Sequence, residues 1–182
     1  MNHFTRWSSG CICGLVVGVV LAWTMTGKAR DARPPQDRDA LVALAQLVET
    51  EHRRVDLLVK AGDRAGAIRA LEQIADGAWP SEERAGEAAV WMRHDVVGRL
   101  VRLELDDTPA VPPHLEALLG RITRRLNDGG GDLPPNAFTA RLAGLQGELL
   151  ERAGRDQAAL ASYEVALDMN RLLLDALIKE DL

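Results

Sequence analysis

Residues 60–76 read KAGDRAGAIRALEQIAD and residues 152–168 read RAGRDQAALASYEVALD, and the two stretches superpose without a gap. Ala61 falls on Ala153, Gly62 on Gly154, Ala67 on Ala159, Glu72 on Glu164 and Asp76 on Asp168. The match continues upstream, with Leu57 on Leu149 and Leu58 on Leu150. Each copy shows the end of one helix, a glycine turn, and a second helix with apolar or small residues at helical spacing. Two such joints in one chain point to helical hairpins set in series. No stretch alternates apolar and polar residues over the length of a strand, so the expected fold is all-α.

The other elements follow outward from these joints. Asp37 is an N-cap, and Leu41, Leu44, Leu47, Val48, Val55, Leu58 and Val59 stripe the first helix, which ends at Gly62. Asp63 caps a second helix with Ile68, Leu71 and Ile74 on its inner side, closed by Gly77 and Pro80. Ser81, Glu82 and Glu83 start a third, whose inward residues are Val90, Val97, Leu100 and Val101. After the loop DDTPAVPP (106–113), a fourth helix covers His114 to Leu126 and stops at NDGGGDLPP. Asn136 caps a fifth, reaching Arg152, and Gly154 divides it from a sixth that either runs long or breaks near Asn170. Joined mostly by short turns, these make three antiparallel hairpins, a short α-solenoid.

The last hairpin resembles a tetratricopeptide repeat (TPR), a helical pair with small residues where its helices cross. It reads Ala143-x2-Gln146-Gly147-x2-Leu150, Gly154 at the turn, then Ala159-x3-Tyr163-x2-Ala166. Ala143, Gln146 and Arg171 stand where the repeat usually has Trp, Leu and Pro. The first hairpin keeps Leu58, Gly62, Ala67 and Leu71 but has Val55 and Ile74 at small-residue positions, and the middle hairpin keeps almost nothing of the pattern. The resemblance is to a degenerate TPR-like protein. It implies a concave surface, built from the first helix of each hairpin, that grips a protein partner. By that analogy Glu49, His52, Asp56 and Lys60 line it in the first hairpin, and Arg141, Glu148, Glu151 and Arg152 in the last.

Residues 1–27 are a different material: they hold no Asp or Glu, and Arg6 is their one strong base. The uncharged run CICGLVVGVVLAWTMT (11–26), with Trp7 and Trp23 near its ends, predicts a single-pass transmembrane anchor; a cleaved signal peptide is the competing reading. Gly10, Gly14, Gly18 and Ala22 recur every four residues, a small-xxx-small stripe that would pack membrane helices, including two copies of this one. Residues 28–37, with Pro34-Pro35, form a linker, and 38–182 the helical domain. Arg6 on one side against Lys28, Arg30, Arg33 and Arg38 on the other would keep that domain in the cytoplasm, whereas similarity to signal anchors exports it. The expectation adopted is the inner membrane, with the domain in the periplasm.

Composition narrows the chemistry. The 182 residues carry 22 Lys+Arg against 27 Asp+Glu, a formal charge of −5, and only 4% aromatics, which speaks against nucleic acid as a partner. Two cysteines rule out a disulfide-built scaffold. Cys11 and Cys13 have no further ligands nearby, and Glu49 with His52, or Met92 with His94 and Asp95, make no complete metal set. The stretch Asn127–Asp132 has oxygen donors without the spacing of an EF-hand loop. With no nucleophile–base pair, phosphate loop or zinc motif, an enzyme is not supported, and no cofactor is expected.

The expected function is therefore a membrane-anchored TPR-like adaptor in a bacterial envelope complex, binding a protein partner. The apolar run of the last helix, Leu172, Leu173, Leu174, Leu177 and Ile178, either caps the stack or docks on a partner, and this stripe is the leading expected contact surface. Two alternatives remain open: a periplasmic metal or stress sensor built on His52, His94 and Met92, and a structural subunit held in a larger membrane assembly by the glycine stripe.

Overall fold

Among the described residues there are six α-helices, close to the spans that the apolar stripes predict. The computed structural model describes residues 38–80, 82–106, 114–127 and 135–180. The helices are α1 (Arg38–Lys60), α2 (Arg64–Ala75), α3 (Glu82–Asp106), α4 (Leu115–Leu126), α5 (Ala137–Arg152) and α6 (Asp156–Glu180). Asp63 and Asn136 act as N-caps, each side chain accepting a backbone N–H three residues on, from Gly66 and Thr139, both at 2.8 Å. α6 continues through Asn170 without a break.

The two superposable joints have the same backbone. Gly62 and Gly154 both take left-handed φ, +82° and +69°. In the first turn Asp63 N–H donates to Leu58 O, and in the second Arg155 N–H donates to Leu150 O, each at 2.9 Å. This is the glycine-centred helix ending that satisfies the last carbonyls and reverses the chain. The repeat visible in the sequence is thus a repeat of turn geometry.

α1 packs on α2, α3 on α4 and α5 on α6 as successive pairs; α2 also meets α3, and α4 meets α5. The first helices of the pairs stack on one another, α1 on α3 and α3 on α5. α3 and α5 are the middle of the stack. Val96, Val97, Leu100, Val101 and Leu105 from α3 interlock with Leu142, Leu145 and Leu149 from α5, all essentially sealed from solvent. Val55, Leu71 and Ile122 bring α1, α2 and α4 into the same core. The α2–α3 corner is clamped by Arg93, whose guanidinium lies 5.7 Å from the Trp79 ring centroid and donates to Ala75 O, while Trp79 Nε1 donates to Ile74 O at 2.8 Å.

Two expectations need correction. The predicted architecture put a membrane-spanning helix ahead of the hairpins, but among the described residues no helix is long and apolar enough to cross a membrane. The predicted anchor (1–27), its Gly10/Gly14/Gly18/Ala22 stripe and the linker (28–37) all lie outside the described residues. What stands, among the described residues, is an all-α, helical-repeat-like stack of six helices. The third helix is also not continuous: Gly86, at φ 62° and ψ −168°, interrupts α3 near its start. That region of backbone space is essentially closed to side-chain-bearing residues, so the glycine marks a built-in break.

Candidate functional site

The stacked first helices α1, α3 and α5 carry a seam of charges across them. Asp56 on α1 pairs with Arg99 on α3. His52 Nδ1 lies 3.6 Å from Asp95, whose other oxygen is 3.8 Å from Arg141 on α5. Arg102 donates to Glu148 at 2.9 Å, and Glu148 also accepts from Arg152 at 2.9 Å. Arg152 reaches back to α3 as well, donating to Leu105 O at 3.0 Å.

Five of the residues expected to line the partner surface, His52, Asp56, Arg141, Glu148 and Arg152, therefore meet in one seam. Glu49 pairs with Arg53 four residues on, at the edge of the seam, and Lys60 stands exposed in the last turn of α1. Glu151 accepts from Tyr163 of α6 at 2.8 Å. His52 is the exception to an exposed lining: it is 3% exposed, wedged between α1 and α3. Burial, reinforced by Arg99 and Arg141, lowers its pKa to about 4, so it is neutral at pH 7. Its Nε2 is buried with no hydrogen-bond partner. Burial likewise pushes Asp95 upward, against the pull of Arg141 and Arg99.

The middle of the seam, Asp95, Arg99 and Arg102, was not among the expected lining residues. Its signal was present as a polar stripe at spacings of four and three within the apolar third helix. Because acids and bases alternate along it, the seam has no dominant sign. It stitches three helices together and offers no single-charge cradle for an ionic ligand.

The other buried histidine is structural. His94 is fully enclosed between α3, the end of α4 and the start of α5. Asn136 Nδ2 donates to Thr139 Oγ1 at 2.7 Å, and the Thr139 hydroxyl lies 2.8 Å from His94 Nδ1. The Arg125 carbonyl can only accept, so His94 Nε2–H donates to it at 2.9 Å, and Nδ1 accepts from the Thr139 hydroxyl. Both ring nitrogens are spent, and Met92 is buried in the apolar core. Among the described residues no group of three or more His, Cys, Asp or Glu could hold a metal ion.

The apolar surface lies elsewhere. All the substantial packing of α6 is against α5, and α6 is the longer helix of the pair. Ala159 and Ala166 are buried on its inner line, Leu173 on the same line is half-buried, and Leu177 is 59% exposed. Leu160, Leu167, Leu172, Leu174 and Ile178 are each more than half exposed. This is the stripe expected from Leu172 to Ile178, here extended by Leu160 and Leu167. No protein-family model matches the chain, and no curated protein or solved structure matches it either.

Proposed function

We propose that the chain is a short TPR-like adaptor whose work is to bind a protein partner, with the exposed apolar residues of α6 as its principal contact. The observation that carries this reading is the concentration of large apolar residues on one helix packed against a single neighbour, from Leu167 through Leu172 and Leu174 to Leu177 and Ile178. Apolar side chains grouped in that way on a rigid helix fit an interaction site better than a solvated surface. The Gly147–Tyr163 crossing and the repeated Gly62 and Gly154 turns support the TPR-like part of the reading. The charged seam is the secondary contact, suited to setting orientation more than to supplying affinity.

The test is crosslinking of the full chain in its own host with a photoreactive residue at position 178, followed by identification of the captured protein. Replacing Leu173 and Leu177 with Asp is expected to abolish a specific adduct while helicity by circular dichroism is kept. An adduct that survives this change, and is lost instead in Arg99→Glu or Arg141→Glu, would move the site to the seam and refute the α6 reading.

A further inference from the structure

The exposed apolar residues of α6 are not one patch. Leu173 and Leu177 continue the line that faces α5, whereas Leu160, Leu167 and Leu174 recur every seven residues on one flank, extended by Ile178. A seven-residue recurrence is the spacing by which one helix packs along another over several turns. The charges beside this flank have a definite order. Glu164 and Arg171 sit next to it, one on each side of Leu167 along the chain.

We propose that this flank binds a second copy of the chain, α6 against α6, antiparallel about a two-fold axis passing near Leu167. This rests on the reading of α6 as an interaction helix and names one occupant for it. The axis sets Leu167 against its own counterpart and Leu160 against Leu174 twice. It also sets Glu164 of each copy opposite Arg171 of the other, two attractive pairs from one sequence, as an isologous interface requires. A parallel arrangement would set Glu164 beside Glu164 and Arg171 beside Arg171. Arg171 now pairs with Asp168 at 3.2 Å on the exposed surface, a contact of little worth that is easily exchanged. Leu160, Leu167, Leu174 and Ile178 are 61%, 53%, 58% and 59% exposed. At roughly 100 Å² each, with the polar rim added, two copies bury about 1,000 Å² in total, the lower bound for a specific dimer. The association is accordingly expected in the micromolar range.

Sedimentation of the purified full chain across a concentration series tests this. The expected result is a reversible shift toward twice the 19.8 kDa chain mass. Leu167→Asp with Leu174→Asp should leave only monomer. Glu164→Arg or Arg171→Glu alone should weaken association about tenfold, and the double exchange should restore it. A monomer at all concentrations overturns the proposal, as does a dimer indifferent to the two leucine changes or a double exchange no better than the singles. Loss of the crosslinked partner in the Leu173/Leu177 variant bears on the adaptor reading, and a monomer in sedimentation bears on the dimer, so the two failures are distinguishable.

Discussion

Gly147 faces the ring of Tyr163 where α5 crosses α6, so closely that a Cβ added there would stand 2.6 Å from Cε1, 2.7 Å from Cδ1 and 2.9 Å from Cζ. The ring has little room to retreat, because its hydroxyl donates to Glu151 on α5 at 2.8 Å. Gly147→Ala sets two opposed terms against each other. Alanine gains about 1 kcal/mol of helix propensity over glycine in a helix interior. Forcing a methyl into a filled crossing costs about 1–3 kcal/mol. The clash outweighs the gain, and the variant is expected to lose up to about 2 kcal/mol, a urea midpoint lower by up to about 1 M for a domain of this size. The decisive comparison is in a Tyr163→Ala background. With the ring gone only the propensity gain remains, so the same Gly147→Ala change should now raise the midpoint. Circular dichroism of the four chains through a urea titration measures both effects, and the sign reversal is the coupling between the two positions. A midpoint that rises in the parent chain, or falls equally in both backgrounds, would falsify the view that a glycine is required for helix approach here.

Three further expectations follow from the geometry. Thr139→Val removes the hydroxyl that links Asn136 to His94, stranding a buried Nδ1 and an amide; it should cost about 2 kcal/mol or more, read as the urea midpoint. Gly86→Ala places a side chain at φ 62°, ψ −168° and should cost about 1–3 kcal/mol, whereas Gly120→Ala, with open space around it in α4, should gain up to about 1 kcal/mol. His52 titrates at about 4 when folded and near 6.5 when unfolded, so as pH falls the unfolded chain takes up this proton first. Its contribution is fully present above pH 6.5 and is lost between there and pH 4, about 3 kcal/mol at 1.36 kcal/mol per unit. Asp95, raised by burial, works in the opposite sense: protonation on acidification favours the folded state. Stability against pH for the parent chain and for His52→Gln should separate the two, the His52 slope vanishing in the variant while the Asp95 slope remains.

The helices were legible because their signals are local. Asp63, Asn136, Gly62 and Gly154 mark ends through bonds to residues within five positions, so sequence spacing alone places them. The break at Gly86 was not legible, since an isolated glycine in a helical pattern reads the same whether its φ is negative or positive. Glu49, Asp56, Arg141 and Glu148 were assigned to one face on family resemblance; Asp56, Arg141 and Glu148 each meet α3, whereas Glu49 pairs within its own helix. What spacing could not show is that the charges pair across helices, 43 residues apart for Arg99 and Asp56 and 46 for Arg102 and Glu148. Nor could it show that His52 turns inward. That His94, Met92 and Asp95 make no ligand set was legible, because successive helical residues point in different directions; that His94 meets Thr139 from another helix was not.

Each helix packs on the next, and α1, α3 and α5 also stack in order, with no strand or long excursion tying the ends of the described stack together. Such a chain behaves as a one-dimensional array, its cohesion the sum of neighbour terms, and it can open from an end without dissolving the middle. Beyond Ala166 no described residue of α6 is buried, so the end of α6 is the natural place for opening to begin, and α3 and α5, clasped on several sides, are the last to yield. Amide hydrogen exchange would register this as a gradient of protection, weakest toward residue 180 and steepest through Val96–Val101 and Leu142–Leu149. A helix that opens cheaply while the rest stays folded can change partners without unfolding the molecule. The arrangement therefore places the most exchangeable segment of the chain and its most adhesive surface on the same helix.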